Sequence, residues 1–406
     1  MRDDLDRLMK DRALSGLVVF AYDRDSPAMR YVTGQAIHYG VYFRNAAGTA
    51  LLIHDPMERD QAAAAGCEHG GFPMYGLPEL LETEGTPARG FGRLIGEACA
   101  KLGIAGPIGF FGDLPAGFAN VLFARAREIQ PGLRADDSNP DLLSAARLTK
   151  DDAEVEAMRR ASRGTVAAME AVRGFLGELR ADGDAFRLDG RQPATLGDVR
   201  RLIQRTFLDH GVAEDGASIV SMGRDAGVPH NHGNDADVLR AGTPILVDLF
   251  PADPTGYHSD MTRTFCIGRA PAPLREMYDD VRAAFDAAME SLAAGTPCRT
   301  HQERAWDVFE ARGHATLRSS PGTEEGYVHG LGHGVGLAVH EPPRLGGPAS
   351  NTALIEPRMV ITVEPGLYYP ARGLGARIED LIHVRADGSL ENLTPCSYEL
   401  EVMPHP

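Results

Sequence analysis

Two styles of hydrophobic patterning run along this chain. In the first third, short continuous apolar runs at residues 17–22, 50–53 and 107–111 read as buried strands. Helix-like stretches such as 92–102 lie between them, so residues 1–145 read as a modest α/β domain. The polar segment 136–140, Asp-Asp-Ser-Asn-Pro, breaks the pattern and reads as a linker.

The period then changes. Val155, Met158, Ala161, Thr165, Met169, Val172 and Leu176 recur every three or four residues and form one apolar helix face. Asp151 and Asp152 suit the start of that helix. Residues 181–193, rich in Asp, Gly and Arg, read as a loop that either lines a site or is simply solvated. Residues 195–210 read as a helix, and Val281, Ala284, Phe285, Ala288 and Leu292 mark another. Thr300 with Glu303 predicts a capping box for a further helix, which carries Trp306 and Phe309 into the core. Residues 244–250 and 261–267 flank a turn-rich insert and read as a hairpin, and 359–363 with 376–384 as a second strand pair. Residues 150–406 therefore read as an α+β domain with an antiparallel sheet.

Composition narrows the function. A length of 406 residues suits two domains, and 43% hydrophobic with 24% charged residues excludes a disordered or fibrous chain. No apolar run is long enough to span a membrane, and the charged first ten residues lack a signal core, so the expected location is the cytoplasm. With 41 basic and 57 acidic residues the net charge is −16, and no basic run appears, which argues against nucleic acid as a partner. The five cysteines, Cys67, Cys99, Cys266, Cys298 and Cys396, are scattered and odd in number, so neither a disulfide frame nor a cysteine zinc site is expected.

Some of the acidity sits where it should be expensive. Asp248 lies inside an apolar strand, and Asp260 follows twelve residues later. Glu364 ends the apolar run 359–363, and Glu379 lies within 376–382. Any one of these alone reads as a salt-bridged carboxylate. Four on apolar strands, beside a histidine-rich loop, point instead to a shared cation site. That loop holds His329, His333 and His340, with glycines at 330, 332, 334 and 336 that let the backbone turn tightly. No Lys-Ser/Thr follows, which disfavours a phosphate cradle. An oxygen-rich site of this kind suits Mn²⁺, with Co²⁺, Zn²⁺ or Fe²⁺ as alternatives.

These segments resemble the pita-bread metallopeptidases: prolidase, aminopeptidase P and methionine aminopeptidase. The resemblance covers about residues 150–400, and the N-terminal part resembles the extra domain of the prolidase and aminopeptidase P branch. It implies five metal ligands. They are Asp248 on its apolar strand, Asp260 in Tyr-His-Ser-Asp-Met-Thr-Arg-Thr, His333 in Gly-His-Gly-Val-Gly, Glu364 before Pro-Gly, and Glu379 in Arg-Ile-Glu-Asp. Asp260 and Glu379 would bridge the two ions, and Asp248 would chelate one of them. The Thr-Arg-Thr continuation and the N-terminal domain favour the proline-directed branch.

The implied activity is hydrolysis of peptide bonds next to proline, by an Xaa-Pro dipeptidase or aminopeptidase with a metal-bridging hydroxide as nucleophile. Glu364 would shuttle the proton, His340 would stabilise the oxyanion or relay a proton, and His329 would contact substrate. His230 or His232 matches a further substrate histidine, and the register between them stays open. Arg377 reads equally as an ion pair holding Glu379 or as a clamp for a dipeptide's C-terminal carboxylate. Tyr257 and Tyr368 read as substrate-site hydrogen-bonders or as packing. Small proline-containing peptides and a second copy of the chain, in a homodimer, are the implied partners. The alternatives are a carboxypeptidase variant, a non-peptidase enzyme on the same fold (metal-free, or a metal-dependent sulfonium lyase), and a binding module. The five intact ligands argue against the metal-free enzyme and the binding module.

Overall fold

The computed structural model describes residues 2–183, 185–188, 192–214, 218–348 and 350–405. The chain forms two compact units, Met1–Arg147 and Leu148–Pro406.

The first unit is built on a six-stranded sheet. Its strands are β1 (Gly16–Tyr22), β2 (Tyr39–Asn45), β3 (Ala50–His54), β4 (Glu68–Gly71), β5 (Pro107–Gly112) and β6 (Arg134–Ala135), in the order β4-β3-β2-β1-β5-β6. The apolar runs that read as strands are β1, β3 and β5; β2 gives no such run because Gly40 and Arg44 interrupt its apolar character. Helices Pro87–Lys101 and Ala116–Ile129 pack closely where glycines permit it. A Cβ on Gly92 would stand 2.5 Å from the Leu122 carbonyl oxygen, so no larger residue fits there without moving the backbone. Residues 136–140 are not the division between the units: the chain runs on through helix Leu142–Ala146 before it.

The second unit opens with helix Asp152–Glu178. Its capping box is complete: Asp151 Oδ1 accepts from the Glu154 amide at 2.9 Å, and Glu154 Oε2 accepts from the Asp151 amide at 2.8 Å. The stretch expected to be a loop carries a short hairpin, β7 (Arg180–Asp182) with β8 (Ala185–Arg187), where Phe186 packs into the core. Residues 184 and 189–191 of that stretch lie outside the described residues. Helix Leu196–Asp209 follows, capped by Thr195.

Strands β9 (Ile219–Met222), β10 (Pro244–Leu249) and β11 (Met261–Ile267) form an antiparallel sheet, and β19 (Glu401–Val402) joins its edge in parallel. A five-stranded sheet has the order β13-β12-β14-β17-β18. These are β12 (Gly332–Gly334), β13 (Glu341–Leu345), β14 (Val360–Val363), β17 (Asp380–Val384) and β18 (Leu390–Asn392). Between β14 and β17 in sequence, β15 (Gly366–Tyr369) and β16 (Leu374–Arg377) pair with each other. The expected single strand 376–384 is thus two strands in different sheets, broken at Ile378-Glu379. No described helix is long and apolar enough to cross a membrane.

Helices Ala272–Ser291 and Cys298–Ala311 cover the core of this unit. The expected Thr300–Glu303 capping box does not form. The second helix starts earlier, at Cys298 after Pro297, and the Thr300 amide already donates to the Pro297 carbonyl. His301 on this helix is fully buried, with its ring nitrogens on Ser291 Oγ and Thr296 Oγ1, each at 2.8 Å. Burial lowers its pKa from 6.5 to about 4. A depressed folded-state pKa means the unfolded chain binds the proton more readily. This contribution to stability is therefore intact above pH 6.5 and is lost as pH falls towards 4. In urea unfolding across that range, His301→Asn is expected to flatten part of the acid-side decline; an unchanged slope would remove His301 from the account.

Candidate metal centre

Five side chains of the expected ligand set stand on or beside strands of the second unit. Asp248 lies on β10, paired in register with Thr262 of β11, and Asp260 immediately precedes β11. His333 is the middle residue of β12. Glu364 follows the end of β14, and Glu379 occupies the break between β16 and β17, its amide donating to the Thr262 carbonyl at 3.1 Å. Pairing of Val363 with Asp380 brings Glu364 and Glu379 together from segments that are separate in sequence.

Donor atoms of Asp260, His333 and Glu379 all lie within 4.8 Å of one another. His333 Nε2 is 3.4 Å from Glu364 Oε1 and 3.8 Å from Asp260 Oδ2. His333 Nδ1 lies 3.1 Å from the Gly334 carbonyl oxygen, an acceptor, so Nδ1 carries the proton and Nε2 turns a lone pair to the carboxylates. Burial and the neighbouring His340 lower its pKa to about 3, keeping it neutral as a ligand must be.

The carboxylates repel one another. Burial first, then Glu379, Asp248 and Glu364, push Asp260 well above the usual carboxylate range. Glu379 is raised likewise by burial, Glu364 and Asp248. Glu364 is pushed up to about 7, chiefly by burial, with Arg377 opposing and Asp248 adding to the rise. Asp248 Oδ1 is buried without a hydrogen-bond partner. An anionic, oxygen-rich, desolvated set with an orphaned carboxylate oxygen and one oriented imidazole fits divalent cations.

Arg377 is buried and turned inward. Its Nη2 pairs with Asp248 Oδ2, Nη1 donates to the Tyr368 hydroxyl at 3.0 Å, and Nε donates to Thr262 Oγ1 at 2.9 Å. Thr262 Oγ1 in turn donates to Glu379 Oε2 at 2.6 Å. The expected ion pair with Glu379 is therefore made with Asp248 instead, and Glu379 is reached through Thr262. Sequence reasoning missed Thr262. Its signal was the strand period of two, which places Asp260, Thr262 and Thr264 on one side of the chain.

Histidines rim this cluster. His329 is held between the Gly330 carbonyl at 2.8 Å and the Tyr368 hydroxyl at 2.9 Å, and burial lowers its pKa to about 4. His340 is exposed, its ring edge-on to that of His333 with centroids 4.4 Å apart. His230, also exposed, is near enough to disfavour protonation of both His329 and His340. His232 Nδ1 lies 3.4 Å from the Ser218 carbonyl oxygen, and its own carbonyl accepts from Arg200. Tyr257 does not deliver its hydroxyl to the carboxylate cluster. It donates to Glu154 Oε1 at 2.7 Å, because the insert between β10 and β11 folds back on the start of the long helix.

Buried in β11, Cys266 has a thiol pushed up to about 11, so no thiolate nucleophile is available there. Cys266→Ser is expected to leave turnover intact; a large loss of kcat would reveal chemistry this arrangement does not contain.

The fold and the cluster define a metallopeptidase scaffold. The chain belongs to metallopeptidase family M24, whose sequence model matches residues 156–386. It is 34% identical over 264 residues to the probable dipeptidase PepE of Mycobacterium tuberculosis, a match covering 65% of this chain and 63% of that protein. It is 29% identical over 376 residues to an Xaa-Pro dipeptidase of Pyrococcus horikoshii, covering 92% of each. The solved Xaa-Pro dipeptidase from Bacillus anthracis has the same fold, with a TM-score of 0.77 at 24% identity over 99% of both chains. The pita-bread architecture and the prolidase and aminopeptidase P branch expected from the motifs are borne out. The family implies divalent metal ions, and the cluster around Asp260, His333 and Glu379 suits them.

Proposed function

We propose that this chain is a dinuclear metallopeptidase hydrolysing the bond on the amino side of proline in small peptides, as an Xaa-Pro dipeptidase or aminopeptidase. The observation that carries the reading is the convergence of Asp248, Asp260, His333, Glu364 and Glu379 in a chain of this family. Asp248, Asp260, His333, Glu364 and Glu379 would hold the two ions. Mn²⁺ is the first choice, with Co²⁺, Zn²⁺ or Fe²⁺ as alternatives. When bound, such ions polarise a carbonyl and make hydroxide available near neutral pH.

The chain's own groups do the rest. Glu364 takes the proton of the attacking water and delivers it to the departing proline nitrogen, a secondary amine that leaves poorly without one. His340 donates to the developing oxyanion or relays that proton. His329 contacts substrate in its neutral form, with Tyr368 fixing its ring. His230, whose charge would disfavour protonation of His329 and His340, is the favoured substrate histidine of its loop. Arg377 and Thr262 orient Asp248 and Glu379, and no carboxylate clamp is assigned to Arg377. The net charge of −16 supports peptides, not nucleic acid, as partners. We place the protein in the cytoplasm as a homodimer. Sedimentation at several concentrations tests the dimer.

The deciding experiment is a mass-spectrometric cleavage profile of metal-stripped protein reconstituted with Mn²⁺. Xaa-Pro dipeptides, longer Xaa-Pro peptides and peptides blocked at either terminus form the panel. Cleavage of dipeptides alone identifies a dipeptidase. Release of the first residue from longer peptides identifies an aminopeptidase, and release of the last a carboxypeptidase. No cleavage despite bound metal would overturn the peptidase reading and leave a non-peptidase reaction at the same centre.

A further inference from the structure

A buried ion pair lies outside the carboxylate cluster. Lys150, just before the long helix, places Nζ 3.0 Å from Glu341 Oε2, and each side chain is 1% exposed. Glu341 Oε1 accepts from the Ala338 amide at 3.1 Å. Gly336 lies against the same carboxylate: a Cβ there would stand 2.6 Å from Oε2. The loop between β12 and β13 is thus wrapped around the head of Glu341. His333 stands at one end of that loop, and His340 stands at the other, next to Glu341 itself.

The same helix start holds a second element. Glu154 accepts from the Tyr257 hydroxyl at 2.7 Å, and Tyr257 belongs to the segment leading into Asp260. The two elements are also tied to each other, since the His258 amide donates to the Gly336 carbonyl at 2.8 Å. The Lys150 amide donates to the Arg358 carbonyl at 2.8 Å, just ahead of the strand that ends at Glu364. Buried ion pairs add little net stability compared with apolar side chains of the same shape, and one well-attested use is to specify a single arrangement.

We propose that the Lys150–Glu341 pair is a positioning device that fixes the Gly336–Glu341 loop and thereby sets His340 against His333 at the metal centre. This rests on the reading of His340 as the oxyanion or proton partner. Lys150 and Glu341 are positioning residues; neither touches the reacting atoms.

The test uses the full chain loaded with Mn²⁺ and two independent readouts. The first is kcat and KM on the Xaa-Pro substrate that the cleavage panel identifies. The second is amide hydrogen exchange of the segment 331–345, which needs no activity. Glu341→Gln keeps an acceptor for the Ala338 amide and removes the charge. It is expected to lower kcat roughly 10- to 100-fold with KM changed by less than about 3-fold, as a displaced catalytic group does. Exchange across 331–345 should quicken about 10-fold while that of 244–249 holds steady. Lys150→Met should do the same, Lys150→Arg should recover most of the loss, and Lys150→Met should add nothing in a His340→Ala background.

Should the lone charge left by Lys150→Met prevent folding, the neutral pair Lys150→Met with Glu341→Gln takes its place. Unchanged kcat and unchanged exchange in these variants would overturn the proposal. So would a kcat loss that multiplies with that of His340→Ala, because the pair would then act independently of His340. If His340→Ala alone keeps full kcat, the role of His340 falls. Exchange at 331–345 then still decides whether the pair pins the loop.

Discussion

Replacing Glu364 by alanine is expected to lower kcat by about 10³-fold or more, equivalent to about 4 kcal/mol of lost transition-state stabilisation. The expectation has two sources that add in one residue. Its carboxyl lies 3.4 Å from His333 Nε2 and so helps to hold a cation. It also stands in a site where burial has pushed its pKa up to about 7, which suits a group that must take and return a proton near neutrality. A bound cation would pull that value down, so the shuttle works on the balance between the two influences. Metal content by mass spectrometry, measured with kcat at saturating Mn²⁺, separates the roles. Glu364→Gln, which keeps an oxygen donor, should retain more metal than Glu364→Ala yet remain nearly inactive. Near-normal turnover in either variant would sink the assignment.

His340→Ala is expected to lower kcat by roughly 10²-fold, the usual loss for an oxyanion donor or a proton partner. Unlike His333, His340 is exposed, so truncation should leave the fold and the bound metal intact. Partial desolvation of the ring, then Arg344 and His230, lower its pKa below the usual histidine value. His340→Gln, which keeps a hydrogen-bond donor, separates the two roles: recovery of kcat points to oxyanion stabilisation, and no recovery to proton relay. A change confined to KM would move His340 to plain substrate contact.

Much of this centre is legible in the order of the amino acids. A carboxylate within an apolar strand is costly unless partnered, so Asp248, Asp260, Glu364 and Glu379 each stand out as residues that need a partner. Their neighbours supply the family motifs. The helix Asp152–Glu178 is equally readable, because a capping residue and a three-to-four spacing are local properties. Strand β2 and the division of 376–384 into β16 and β17 are not, since both depend on which neighbour a strand meets. Thr300 fails as a cap for a related reason: Pro297 starts the helix one turn sooner.

What the sequence determined by itself was the class of scaffold and which carboxylates and histidines are candidates for a cation site on it. It could not say what Arg377 holds, or that Tyr257 is tied to Glu154 and Lys150 to Glu341. Each of those is a meeting between segments distant in sequence, fixed by how two sheets and one helix start close on each other. Residue type limits what a side chain can bond, but its partner is chosen by packing, and packing exists only once the chain has folded.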